Sequence, residues 1–233
     1  MKIEPPDTEL IDPVVALRDE CDALSKVLGG LSEKDFAMPV PRTPAWTVKE
    51  LMAHVHRGVV DRIGFALEHQ VPGPPDVDSV SYWRSSGPTT DASAVAQRAK
   101  DIAAPFKTGK ALVRAWEREW PGALDRAAAA DPDVVIVTFG PSIRFGEYLK
   151  TRVVEVTVHR MDIEDALGRK GWGTDGAISI VDDILVGLLG AEPPRSLEWD
   201  AVEFIEAGAG RRPLTDGERK KLGRLATKFP LLG

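Results

Sequence analysis

The chain has one cysteine, Cys21, in 233 residues, so it can form neither an internal disulfide nor a two-thiol metal or redox site. Such scarcity fits a reducing compartment, and a cytoplasmic location is expected. A basic excess is also missing. Thirty Lys and Arg stand against 36 Asp and Glu, a net charge of −6 with no basic block, which removes the electrostatic motive for binding nucleic acid. No apolar run approaches the roughly 18 residues of a membrane span. The N-terminus, Met1-Lys2-Ile3-Glu4-Pro5-Pro6-Asp7, lacks the positive-then-apolar order of a secretion signal, and no membrane partner is expected. A Walker A loop, H-E-x-x-H and G-x-S-x-G are absent as well, and with them the common phosphate, protease and hydrolase signatures. Gly171-x-Gly173-x-x-Gly176 has the dinucleotide spacing, but that fingerprint follows a strand. Here it follows a helical pattern and reads as a turn.

What the chain does have is the composition of a globular protein, 43% hydrophobic and 28% charged. Val14, Leu17, Cys21, Leu24 and Leu28 lie at helical spacing and predict a helix over 10–31, stopped by Gly29 and Gly30, with Cys21 as a buried thiol on its apolar face. After an extended, proline-rich stretch at 39–45, Thr47 and Glu50 form a capping box, while Trp46 and Leu51 occupy the positions of a hydrophobic staple. They start a second helix that runs to about residue 69 and stops at the prolines that follow Val71.

Residues 79–90, with Tyr82, Trp83 and Arg84, read as a polar loop whose aromatics pack on the protein; a lid over a site is the alternative. A helical pattern returns over 91–120 with a break near Pro105. The β-branched run after Asp131, closed by Gly140 and Pro141, predicts a small hairpin near 133–145. Helices are expected over 145–167, 177–189, 199–207 and 215–228, the last opened by a capping box of Thr215 and Glu218. Together these predict a mainly all-α chain: an antiparallel four-helix bundle over 1–168, then a short helical C-terminal extension over 169–233.

The helix at 145–167 carries the chemistry. Glu155 and His159 sit one turn apart on one face, while Val153, Val154, Val156, Val158, Met161 and Ile163 leave the rest of the helix apolar. A carboxylate inside such a helix needs a partner charge or a metal, and a histidine one turn away supplies half of a divalent site. A plain ion pair is the competing reading. A third ligand would come from His54, His56 or His69. His54 and His56 point about 200° apart and cannot easily share an ion, and the helical wheel, on which His56 lies nearer the apolar centre, does not choose His54. Asp162 reads either as the group that orients an imidazole or as a surface or capping residue. Arg152 reads as the ion-pair partner of Glu155, with a substrate carboxylate as the alternative. Arg211 and Arg212 read as residues that follow a helix end at Gly210.

Trp46-Thr47-Val48-Lys49-Glu50-Leu51-Met52-Ala53-His54, followed by Glu155-Val-Thr-Val-His159-Arg-Met-Asp162, resembles the metal-binding domain of the mycothiol-dependent maleylpyruvate isomerases, in the DinB-like superfamily. The family pattern is W-T-v-x-x-L-x-x-H, then E-x-x-x-H-x-x-D. The resemblance covers residues 10 to about 168 and implies a DinB-like bundle. In it His54, Glu155 and His159 would hold a divalent metal with coordination positions left open, and His56 would return to packing. Zinc is expected first, and nickel, iron or manganese also suit two imidazoles and a carboxylate.

The same resemblance implies an isomerase or thiol transferase, in which a metal-activated low-molecular-weight thiol, mycothiol, or a water acts on a small electrophilic substrate. Cys21 has no spacing to the site, so that thiol would come from outside. The tail around Trp199 and Gly210 departs from the larger α+β domain of the isomerase itself, so that enzyme's specific reaction is not carried over. A homodimer is compatible by family analogy. The alternative function is a non-catalytic metal-binding or interaction module in which the ion merely cross-links two helices.

Overall fold

Helix α1 (Pro13–Gly29) begins where Asp12 accepts a hydrogen bond from the Val14 amide at 2.8 Å and Pro13 takes the first helical position, a place where proline's missing donor costs nothing. The computed structural model describes residues 11–43, 45–86, 92–138, 140–170 and 172–232. Those of the expectations above that concern residues 1–10, 44, 87–91, 139, 171 and 233 fall outside these.

A short α2 (Glu33–Phe36) leads to α3 (Val48–His56), which opens with the expected box: Glu50 Oε2 accepts the Thr47 amide at 2.7 Å and Thr47 Oγ1 accepts the Glu50 amide at 3.4 Å. The expected helix to residue 69 is interrupted. A π turn at Arg57–Asp61 separates α3 from α4 (Arg62–Glu68), adding a residue to the turn and shifting the helical phase.

Residues 79–86 correct the expected loop. They form α5 (Ser79–Ser86), in which Asp78 Oδ1 accepts the Ser81 amide at 2.7 Å and Glu147 Oε2 accepts the Ser79 amide and hydroxyl at 3.0 and 2.6 Å. Half of that N-terminal support is therefore supplied from a distant segment, and α5 packs on later helices rather than by a strong apolar period of its own. Helix α6 (Ala92–Ala103) ends ahead of Pro105 as expected, but α7 (Gly109–Ala129) continues past Trp120 through Pro121, held by buried Ala123, Leu124 and Ala127. Strands β1 (Val135–Ile136) and β2 (Ile143–Arg144) pair antiparallel, Val135 with Arg144 and Ile136 with Ile143.

Helix α8 (Phe145–Ala166) is buried on nearly every side, as its apolar sequence requires. It packs against α1 and α3; α1 and α3 also pack against α7, which closes a four-helix arrangement with α4 continuing the α3 rod. Gly168, at φ +68, ends α8 in a left-handed conformation open to glycine. Then α9 (Asp175–Leu189) lies on α8 and α1, and α10 (Ala201–Gly208) lies on α9. One hydrophobic cluster runs from Ala16 to Ala209, so α9 and α10 share the core of the four-helix arrangement. Helix α11 (Asp216–Leu222) and a 3-10 turn at Gly223–Lys228 add a smaller cluster around Leu197, Leu214 and Leu222. Among the described residues, no helix is long and apolar enough to cross a membrane.

Candidate metal centre

Three side chains from two distant segments meet where α3 crosses α8. His54 comes from the last turn and a half of α3; Glu155 and His159 come from one face of α8. Glu155 Oε2 stands 3.4 Å from His54 Nε2 and 3.3 Å from His159 Nε2, and the three donor atoms all lie within 4.8 Å of one another. These separations are longer than the usual N–H···O bond of about 2.7–3.2 Å. They match the spacing of neighbouring ligands around a tetrahedral ion, since bonds of about 2.0–2.1 Å at tetrahedral angles place adjacent donors about 3.3–3.4 Å apart. Two imidazoles and a carboxylate also form a common donor set for a catalytic zinc-type site.

The surroundings fix the donors in place. Trp46, expected only as a staple, lies against His54 with ring centroids 4.9 Å apart and meets His159 edge-on at 6.3 Å. The Trp46 indole N–H donates to the Ala96 carbonyl at 3.2 Å, which anchors the ring to α6. Asp162 is completely buried, and its Oδ2 lies 3.0 Å from His159 Nδ1. An ionised carboxylate only accepts, so this contact places a proton on His159 Nδ1, and in the neutral ring Nε2 is then the lone-pair nitrogen.

Asp162 is in turn gripped by Arg211: Nε donates to Oδ1 at 2.8 Å and Nη2 to Oδ2 at 2.6 Å. Arg152, also buried, lies 3.8 Å from Glu155, donates through Nε to Thr151 Oγ1 at 3.2 Å and covers the Tyr148 ring at 4.8 Å.

The charge states follow from these contacts. Burial would raise the Glu155 pKa, but the two histidines and Arg152 outweigh it and hold the carboxylate well below its usual range. Burial lowers His54, which favours the neutral ligand form. For His159 burial is outweighed by the hydrogen bond to Asp162 and the nearby Glu155 carboxylate, and the pKa is raised. Asp162 is lowered, with His159 and Arg211 overcoming burial. Arg62 on the π-turn side is lowered to about 10 by burial and by the neighbouring charges of Arg57 and Arg152.

His54, Glu155 and His159 thus come together, with Asp162 and Arg152 on either side of them. His56 does not join them; its Nε2 pairs with Glu119 of α7 at 3.0 Å, and its ring packs near Phe106 and Trp116. The Tyr82, Trp83 and Arg84 trio packs on the protein, with Arg84 donating to the Gly187 carbonyl at 2.8 Å. Arg211 is the residue that sequence reasoning passed over. It is 49 positions from Asp162, and beyond the helix-ending glycine before it no local pattern marks it. A cleft of about 120 Å³ is lined by both Asp162 and Arg211, together with Arg42, Asp165, Arg169 and Glu206, but by none of the three donors.

Residues 17–164 match a family model described as the mycothiol maleylpyruvate isomerase N-terminal domain. No curated protein and no solved structure matches the chain.

Proposed function

The chain belongs to the mycothiol maleylpyruvate isomerase N-terminal domain family, and from that premise we propose that it is an enzyme with one divalent cation, zinc by its donor set, held by His54, Glu155 and His159. Its substrate class is a small electrophile attacked by an activated low-molecular-weight thiol, mycothiol, or by an activated water. The observation that carries this reading is the pair of 3.3 and 3.4 Å separations around Glu155 Oε2, too long for strong hydrogen bonds and right for ligands of one small ion.

When bound, such a cation lowers the pKa of a thiol or water at its free position. The side chains do the remainder. Glu155 stays ionised and His54 neutral, so both present lone pairs. Asp162 keeps the His159 proton on Nδ1, and Trp46 walls one side. Arg152, 3.8 Å from Glu155 and close enough to Arg62 to lower its pKa, adds positive charge beside the donors, which suits a thiolate or a carboxylate on the electrophile.

Access supports catalysis over a sealed structural ion. The His54 and Glu155 side chains are 27% and 23% exposed, and among the described residues the cluster offers three protein ligands, the number typical of a catalytic site with a fourth position open. The chain's own thiol is a poor nucleophile, because burial pushes Cys21 well above its ordinary pKa, so the thiol comes from solution. A pool of reduced small thiols goes with a cytoplasmic location.

The test begins with elemental analysis of untagged protein and of His54→Ala. One metal per chain in the first and none in the second is expected. Cobalt-loaded protein should then gain a sulfur-to-metal charge-transfer band on addition of mycothiol. Metal-free protein, or a loaded protein whose spectrum ignores thiols, would remove the thiol-activating reading.

A further inference from the structure

The chain after α10 turns back toward the metal centre. Gly210, at φ +68, lets the Arg211 and Arg212 amides reach the Glu206 carbonyl at 2.7 and 3.2 Å, the left-handed closure that caps a helix C-terminus. This turn sends the two arginines to different places. Arg212 pairs with Glu218 at 2.9 Å and covers the Trp199 ring at 5.1 Å, within the C-terminal segment. Arg211 leaves that segment and grips Asp162 on α8 with both arms of its guanidinium, while its remaining nitrogen, Nη1, donates to the Ala209 carbonyl at 2.7 Å.

We infer that Arg211 is a positioning residue: through Asp162 it fixes the His159 imidazole in the tautomer and orientation that ligate the cation, so the metal centre is incomplete without the C-terminal turn at 207–212. This rests on the reading of His159 as a ligand. The reason lies in degrees of freedom. A carboxylate rotates over a broad, two-fold χ2 profile, and a single bond to His159 Nδ1 leaves its plane free. A bidentate guanidinium, planar and itself held at its third nitrogen, removes that freedom. Oδ2 is shared between Arg211 and His159 at 2.6 and 3.0 Å, so the orientation set by one is passed to the other. Asp162 has no exposure to solvent while the Arg211 side chain keeps 20%; the clamp closes the site from the outside.

The test uses full-length Arg211→Met, Arg211→Lys and Arg212→Met. Zinc affinity is measured by competition with a chromogenic chelator, and the His159 tautomer by nitrogen NMR on the metal-free protein. Wild type should bind one zinc with the Nδ1–H tautomer dominant. Arg211→Met should lose roughly 10-fold in affinity, the lower end of what outer-shell partners contribute, and show mixed tautomers. Arg211→Lys, which keeps the charge without the fork, should recover only part of both. Arg212→Met should lower the melting temperature and leave affinity and tautomer unchanged. If wild type binds zinc and either Arg211 variant matches it in affinity and tautomer, the clamp is overturned while the metal reading stands. If wild type binds none, both fall.

Discussion

Helix α8 carries two buried charged clusters on different faces. On one face Glu155 Oε2 stands between two imidazole nitrogens at 3.3 and 3.4 Å. On the other, Arg160 Nε donates to Glu20 Oε1 at 2.5 Å, and the Thr174 amide and hydroxyl donate to Glu20 Oε2 at 2.9 Å each. Arg160 also lies under the Trp172 ring at 5.0 Å. Glu20 and Arg160 are 0% and 1% exposed, whereas His54 and Glu155 keep about a quarter of their side-chain surface. In the Glu20 cluster direct hydrogen bonds satisfy both carboxylate oxygens, leaving Arg160 Nη2 unpaired among the described residues, and tie α1, α8 and the start of α9 together. The Glu155 cluster is spaced for something between its atoms. Similar residue types thus tie helices together in one place and stand apart and partly exposed in the other, and the proposed metal site is assigned to the second on that difference.

The strongest response should come from the closed cluster. Arg160→Met leaves Glu20 buried without its cation and should destabilise the fold by about 3–5 kcal/mol, read by urea unfolding, with zinc per chain unchanged. Pairing it with Glu20→Leu should restore much of the loss, because a well-packed apolar pair can replace a buried ionic one.

At the open cluster His54→Ala should do the reverse. Chelator competition should show zinc affinity down more than about 100-fold, or roughly 2.7 kcal/mol, while the metal-free protein loses less than about 1 kcal/mol of stability. Asp162→Asn should cost about 10–100-fold in zinc affinity; wild-type affinity in that variant would mean that His159 needs no orienting partner.

A weaker response is expected to pH. The raised His159 pKa contributes stability to the metal-free protein that is complete below the unfolded value, near 6.5, and is lost as pH rises through the folded value. Glu155 acts oppositely, stabilising above its ordinary value near 4.5 and failing only in stronger acid. Melting temperatures of metal-free protein should therefore decline from pH 6.5 upward. Zinc affinity should rise over the same range as the competing proton leaves. Parallel pH profiles for metal-free and zinc-loaded protein would erase the distinction between the two clusters.

Much of this was legible in the sequence, for identifiable reasons. Thr47 and Glu50 fix the start of α3 through local hydrogen bonds, and the apolar surround of Glu155 and His159 marks α8 as a buried helix with costly polar groups. The choice of His54 over His56 was not legible from the residues alone. A wheel continued to residue 69 assumes a constant phase, which the π turn at Arg57–Asp61 breaks. The wheel was nonetheless right that His56 is the more buried, at 7% exposed; the candidate ligand is the more accessible histidine, and only the two-part motif picks it. Nothing local marks Glu20, because its partners lie 140 and 154 positions away. Arg211 and the Glu147 half of the N-terminal support of α5 were hidden for the same reason: each depends on a contact between segments distant in sequence.

A thiol-activating cation at Glu155 is probed most squarely by X-ray absorption at the zinc edge, on loaded protein with and without excess mycothiol. A shell of nitrogen and oxygen at about 2.0–2.1 Å should gain a sulfur at about 2.3 Å when the thiol is added, with the whole signal lost in His54→Ala. A spectrum that His54→Ala leaves unchanged, or one in which sulfur never enters the shell, would contradict this assignment.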